Sequence, residues 1–173
     1  MATKVLDPII TDVLKWYNRN KYVRIGSDVS VTELMMPPQI VHLRDRYRPQ
    51  ITSADLNMEI PAMTGTALHG AIQRYLRIEA SVTGRWLIER KMCAVIDGYR
   101  VAGKFDALRE LKHLYDIKTT KVWKYIFGGV TEFEHQLNMY DYMMYLDGYT
   151  DIKTLTIMFI FGDWSPGKVW EKG

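Results

Sequence analysis

One cysteine, Cys93, stands in 173 residues. An intramolecular disulfide is therefore excluded, as is any zinc or iron–sulfur site built from cysteines of one chain. Long apolar runs are also missing. Stretches such as Leu155 to Phe161 fall far short of the ~20 residues that a membrane-spanning helix needs. Residues Met1 to Pro8 lack the basic-then-apolar pattern of a secretory signal, so a cytoplasmic compartment is expected. No internal repeat or low-complexity stretch is visible. No phosphate-binding P-loop is present either, so any helicase or motor would have to be a separate chain. A large excess of either charge is missing: 23 Lys and Arg face 20 Asp and Glu, for a net charge of +3. That balance permits a local basic patch without demanding one.

What remains is the composition of an ordinary folded domain, 47% hydrophobic and 25% charged. A single unit over residues 1–173 is expected, with an N-terminal helical and loop region over 1–62 and a core over 63–162. Apolar spacing over residues 4–20 predicts a helix. Val31 to Met35 predicts a short one, which Pro37–Pro38 interrupts before Ile40 to Tyr47 resumes. Residues 48–62 look like loop. Ala67 to Glu79 predicts a firmer helix, with Leu68, Ile72, Tyr75 and Leu76 as its inward stripe and His69 at the stripe's edge.

The clearest β signal follows. Leu87 to Ile96 and Tyr99 to Leu108 flank Asp97–Gly98, a two-residue loop suited to a type I′ hairpin. Ile96 then faces Tyr99, Lys91 faces Lys104, and Glu89 faces Asp106. Leu111 to Thr120 predicts a third strand, 131–146 a helix striped by Phe133, Leu137, Tyr140 and Met144, and Thr154 to Phe161 a buried strand. The crossover helix permits parallel pairing of the last two strands, hence an α/β (α+β) fold with a central mixed sheet flanked by helices.

The chemistry gathers at Gly103–Lys104–Phe105–Asp106 and Asp116–Ile117–Lys118–Thr119. On a strand, Asp116 and Lys118 point to one face, and Asp106 can present its carboxylate from the neighbouring strand. Two carboxylates held together repel unless a cation neutralises them. Mg²⁺ or Mn²⁺ does so with hard oxygen ligands and leaves positions for water and phosphate. The Lys118 ammonium can take up charge developing on a phosphate. A commoner origin for Asp and Lys two apart is an exposed pair, but Leu114, Tyr115 and Ile117 make this strand look buried, where an idle carboxylate is costly.

Four short pieces occur in a telling order: Gly65–Thr66–Ala67–Leu68–His69, Gly103–Lys104–Phe105–Asp106, Asp116–Ile117–Lys118–Thr119 and Gln136–Leu137–Asn138–Met139–Tyr140. With Val29 to Leu34 at the entry, they resemble the RecB-type branch of the PD-(D/E)XK nuclease superfamily. That branch includes phage recombination exonucleases and CRISPR-associated RecB-like nucleases. The resemblance implies a restriction-endonuclease-like core and metal-dependent DNA cleavage in recombination or end processing, of exonuclease type. It implies that His69, Asp106, Asp116 and the backbone carbonyl of Ile117 hold one or two Mg²⁺ or Mn²⁺ ions. Lys118 would be the catalytic lysine, and Gln136 and Tyr140 would match the Q-x-x-x-Y motif at the edge of the site. Branch members with an iron–sulfur cluster use four cysteines, so none is expected here. DNA, a single-strand annealing protein or other recombination partner, and a homo-oligomer are the implied partners. A structure-selective endonuclease, a non-cleaving DNA-binding module and a subunit needing a partner remain alternatives.

Further candidates come from the residues alone. Glu89 either joins the metal site from across the hairpin or pairs with Lys91 or Lys104. Lys104, Lys121, Lys124 and Arg90 could touch phosphates, with Trp123 or Tyr125 as stacking platforms. The competing picture is a solvated basic face with aromatic rings packed below it. His42, His113 and His135 show no ligand spacing, and Cys93 reads as a core-facing strand residue.

Overall fold

A computed structural model describes residues 26–47 and 60–163, together with helical backbone at positions 9, 12 and 13. Otherwise the helix expected over 4–20 lies outside the described residues, as does most of the loop expected over 48–62.

The described chain opens with β1 (Val29–Ser30), α1 (Val31–Leu34) and α2 (Pro38–Arg46). Ser30 caps α1 in a capping box: its hydroxyl accepts from the Glu33 amide at 3.3 Å, and the Glu33 carboxylate accepts from the Ser30 amide at 2.9 Å. Arg44 of α2 pairs with the buried Glu33, which ties the two helices together. The long helix α3 (Ile60–Thr83) follows, then β2 (Trp86–Ile88), β3 (Lys91–Ile96), β4 (Tyr99–Lys104), β5 (Ala107–Arg109) and β6 (His113–Thr120). Helix α4 (Val122–Ile126), helix α5 (Thr131–Leu146) and strand β7 (Thr154–Phe161) complete it.

The hairpin register holds throughout. Ile96 pairs with Tyr99 and Lys91 with Lys104, and Ile88 with Ala107 and Trp86 with Arg109 keep the same constant. Asp97 and Gly98 both take positive φ, 50° and 83°, as a type I′ turn requires. The hairpin is nonetheless not one continuous ladder. It breaks at Glu89–Arg90, where Glu89 sits at φ 51°, and at Phe105–Asp106. The expected single central sheet is therefore two mixed hydrogen-bonded sheets, β1-β4-β3 and β2-β5-β6-β7. One backbone bond from the Glu89 amide to the Asp106 carbonyl, 2.9 Å, bridges the break. The expected parallel pairing of the last strands is present: β6 and β7 pair from His113↔Thr154 to Thr120↔Phe161.

Helices α3 and α5 cover opposite faces of β6. Gly65 of α3 lies so close to Thr119 that a Cβ there would meet the Thr119 Cβ at 3.4 Å. Lys118, one residue away and so on the other face, reaches Gln136 of α5. The core gathers Val31, Met92, Val101, Phe105, Leu108 and Leu114 with Leu137, Tyr140, Met143 and Met144 of α5. Each fully buried side chain of this kind contributes about 1.5–3 kcal/mol.

Several sequence expectations are corrected. Ile60, Pro61 and Ala62 belong to α3 rather than to a loop, so the helix crosses the expected boundary between 62 and 63. Its inward line runs through Gly65, His69, Ile72, Gln73 and Leu76, while Leu68 and Tyr75 are exposed. The two lines overlap at Ile72 and Leu76, and the side-chain-free Gly65 lets the sheet take the first. Cys93 is exposed, because strand alternation sends its neighbour Met92 inward. Helix α4 was not anticipated: five residues are too few to show a period.

Candidate active site

Strand pairing brings the two acids together. Ala107 pairs with Tyr115, so Asp106, one step beyond, stands across from Asp116 at the point where the sheet breaks. Asp106 uses that position fully. Its Oδ2 accepts from the Ile117 amide at 2.6 Å, and its Oδ1 lies 3.0 Å from His69 Nε2. Gln73, one turn further along α3, donates from Nε2 to His69 Nδ1 at 2.8 Å. A neutral imidazole accepting at Nδ1 carries its proton on Nε2, the nitrogen facing Asp106.

Asp116 is the more deeply buried acid, 2% exposed. Lys118 Nζ lies 3.2 Å from Oδ1 and 3.0 Å from Oδ2. Only Oδ1 receives a well-directed hydrogen bond, which leaves Oδ2 buried without one. Burial pushes the Asp116 carboxyl up to about 6, Lys118 pulls against that, and the neighbouring Asp106 adds to the rise. From the other side Gln136 Oε1 accepts from Lys118 Nζ at 3.0 Å, and Gln136 Nε2 donates to the Tyr140 hydroxyl at 2.8 Å. Burial raises that hydroxyl to about 12, so Tyr140 stays neutral. The ammonium of Lys118 is thus held between a carboxylate and an amide that is itself pinned.

The donor set suits a hard divalent cation: two buried carboxylates, one of them with an oxygen that accepts no hydrogen bond, and one imidazole. In the arrangement described, however, His69 and Asp106 satisfy each other. Among the described residues no three His, Cys, Asp or Glu groups close round one point. At Ile117 it is the amide, not the carbonyl, that bonds Asp106.

The structure brings His69, Asp106, Asp116, Ile117, Lys118, Gln136 and Tyr140 into one contiguous network. Glu89 stands at its margin, paired with Lys104 and with Arg77. Burial acts to raise the Glu89 carboxyl, yet Lys104, Gln73 and Arg77 hold it below the usual carboxylate value. Lys124 pairs with Glu132 and lies 4.6 Å from the Phe133 ring centroid, and Lys118 lies 5.3 Å from the same ring. Trp123 stacks on Phe127, and Tyr125 packs against Phe159. Lys121 is exposed at the start of α4. Arg90 is not brought to the cluster: it is held by Asp147 and Tyr149, beyond the C-terminus of α5. Sequence reasoning missed Gln73 and Phe133 as parts of the site. A buried amide four residues after His69 was the available signal for the first. Phe133 was visible only as a packing residue.

Neither any family model nor any curated protein matches the chain. The crystal structure of SSO0001 does, with a TM-score of 0.68 over 90% of this chain and 74% of that one. The likeness is one of fold. At 21% identity it assigns no activity. Among the described residues no helix is long and apolar enough to cross a membrane.

Proposed function

We propose that the chain is a metal-dependent nuclease of the restriction-endonuclease-like class that hydrolyses phosphodiester bonds in DNA, acting from ends. One observation carries this: two buried carboxylates face each other across a strand pair, one with an oxygen that accepts no hydrogen bond, beside a fixed ammonium. The sequence resemblance places the same residues in those roles. Bound there, one or two Mg²⁺ or Mn²⁺ ions would neutralise the acids and make water more acidic. The rest falls to the chain's own groups. Above pH ~6 Asp116 is ionised and can hold positive charge. His69, by turning from Asp106, offers a neutral nitrogen. Lys118, fixed by Gln136 and Tyr140, presents its ammonium to charge developing on the phosphate. A single-strand annealing or recombination partner and a homo-oligomer belong to the same proposal.

A second function, a DNA-binding module without cleavage, is favoured by the mutual pairing of His69 and Asp106. The two are separated by incubating end-labelled linear and closed circular DNA with Mg²⁺, Mn²⁺ or EDTA, with Lys118→Ala and Asp116→Ala alongside. Metal-dependent loss of linear DNA alone, abolished by both substitutions, is expected. Cutting of the circle would make the chain an endonuclease. Binding with no cleavage under any condition would leave the module.

A further inference from the structure

Helix α4 begins three residues after Thr119; it carries Trp123, Tyr125 and Ile126, and Phe127 caps its C-terminus. Its seat is fixed. Val122 is buried and donates its amide to Asp163 Oδ1 at 2.8 Å. The Tyr125 ring rests 5.2 Å from that of Phe159 and 5.7 Å from that of Phe161. Gly128, at φ 73°, turns the chain back, and the Gly129 amide donates to the Lys124 carbonyl at 2.9 Å. On the side turned from this seat, Trp123 and Phe127, one turn apart, stack at 5.8 Å and 20°. Phe127 is 73% exposed.

Two cations belong to the same helix. Lys121 begins it, and Lys124 shares the Phe133 ring with Lys118. A single ring therefore separates the stacked pair's helix from the ammonium of the candidate active site. Lys124 is paired with Glu132, but both groups are exposed, and such a pair is readily exchanged for a phosphate.

We infer that α4 is a stacking platform for unpaired nucleobases. In this arrangement one base lies on the Trp123–Phe127 pair while Lys121 and Lys124 hold the adjoining phosphates. This rests on the nuclease proposal and adds a substrate class to it. Duplex DNA hides its base faces, so an exposed Phe127 ring backed by the half-buried Trp123 selects a single strand or an unpaired end, with little regard to sequence. Ring and lysine together suit a nucleic acid better than a second copy of this chain, whose net charge is also +3.

The test is fluorescence anisotropy in EDTA with a labelled single strand and a blunt duplex of the same sequence. Wild type should bind the single strand more tightly. Phe127→Ala should weaken single-strand binding about 5- to 100-fold and leave duplex affinity nearly unchanged, while Phe127→Trp restores it. Equal single-strand affinity for wild type and Phe127→Ala overturns the proposal. So does an equal loss on both DNAs, or a wild-type dimer in sedimentation that Phe127→Ala dissolves without affecting DNA binding. Because EDTA prevents cleavage, the outcome stands apart from the nuclease proposal. A chain that binds through Phe127 yet never cuts refutes only the latter.

Discussion

Replacing Asp116 by Asn should make the metal-free protein more stable, not less. In the fold the carboxyl is raised from 3.8 to about 6, so the native state holds a proton that the unfolded chain has released. Where the native state binds more protons, stability falls as pH rises, here between about pH 4 and pH 6. Above that window the full penalty is present, roughly 2 units or ~3 kcal/mol. Asn keeps the shape and cannot ionise. The variant should therefore gain about 1–3 kcal/mol over wild type at pH 7.5 and nothing below pH ~4. Urea unfolding in EDTA across that range measures the difference directly, and subtraction removes titrations common to both proteins. Excess Mn²⁺ should reverse the order, since only wild type keeps the full ligand set. At a thousandfold over Kd the gain for wild type is about 4.1 kcal/mol, more than the variant's advantage in EDTA. A variant less stable than wild type at pH 7.5 in EDTA, or a difference that does not change with pH, would refute the account of Asp116 as a strained carboxylate.

Two further outcomes follow from neighbouring contacts. Gln73→Ala should weaken Mn²⁺ binding in calorimetry by about 10- to 100-fold, because His69 loses the partner that sets its ring; unchanged affinity would make Gln73 mere packing. Gly103→Ala should cost about 1–3 kcal/mol in urea unfolding, since the new Cβ would meet the Tyr140 ring at 2.7 Å and Val31 at 3.0 Å. A neutral result there would mean that Tyr140 is not held as described.

Much of this architecture could be read from local chemistry. Asp97–Gly98 pins the hairpin, and its pairing constant carries Glu89 opposite Asp106 beyond the break; the separate β5–β6 register sets Asp106 across from Asp116. Helix α5 and strand β7 begin and end where their apolar spacing does. The break in the hairpin was illegible: a positive φ at Glu89 leaves no mark in composition, and glycine would have been the usual sign. The facing of α3 was half legible, since two lines of residues share Ile72 and Leu76 and only the approach to Thr119 decides between them. That Asp106 and Asp116 lie on neighbouring strands was legible, but their exact pairing waited on the β5–β6 register. The turning of His69 onto Asp106 did not, because a side-chain rotamer depends on neighbours far away in sequence.

The seam between the two sheets makes Asp106 answerable to two masters. Where the ladder lapses, its side chain supplies the acceptor that the Ile117 amide needs, a task that outlives any chemistry. His69 and Lys118, by contrast, bond to the side chains of Gln73, Asp106, Asp116 and Gln136, which can change along with them. If the proposed activity were lost in descendants, drift should erase the histidine and the lysine first and spare this aspartate. A retained Asp106 is therefore poor evidence that a relative is still at work, and the state of its Lys118 is the better witness.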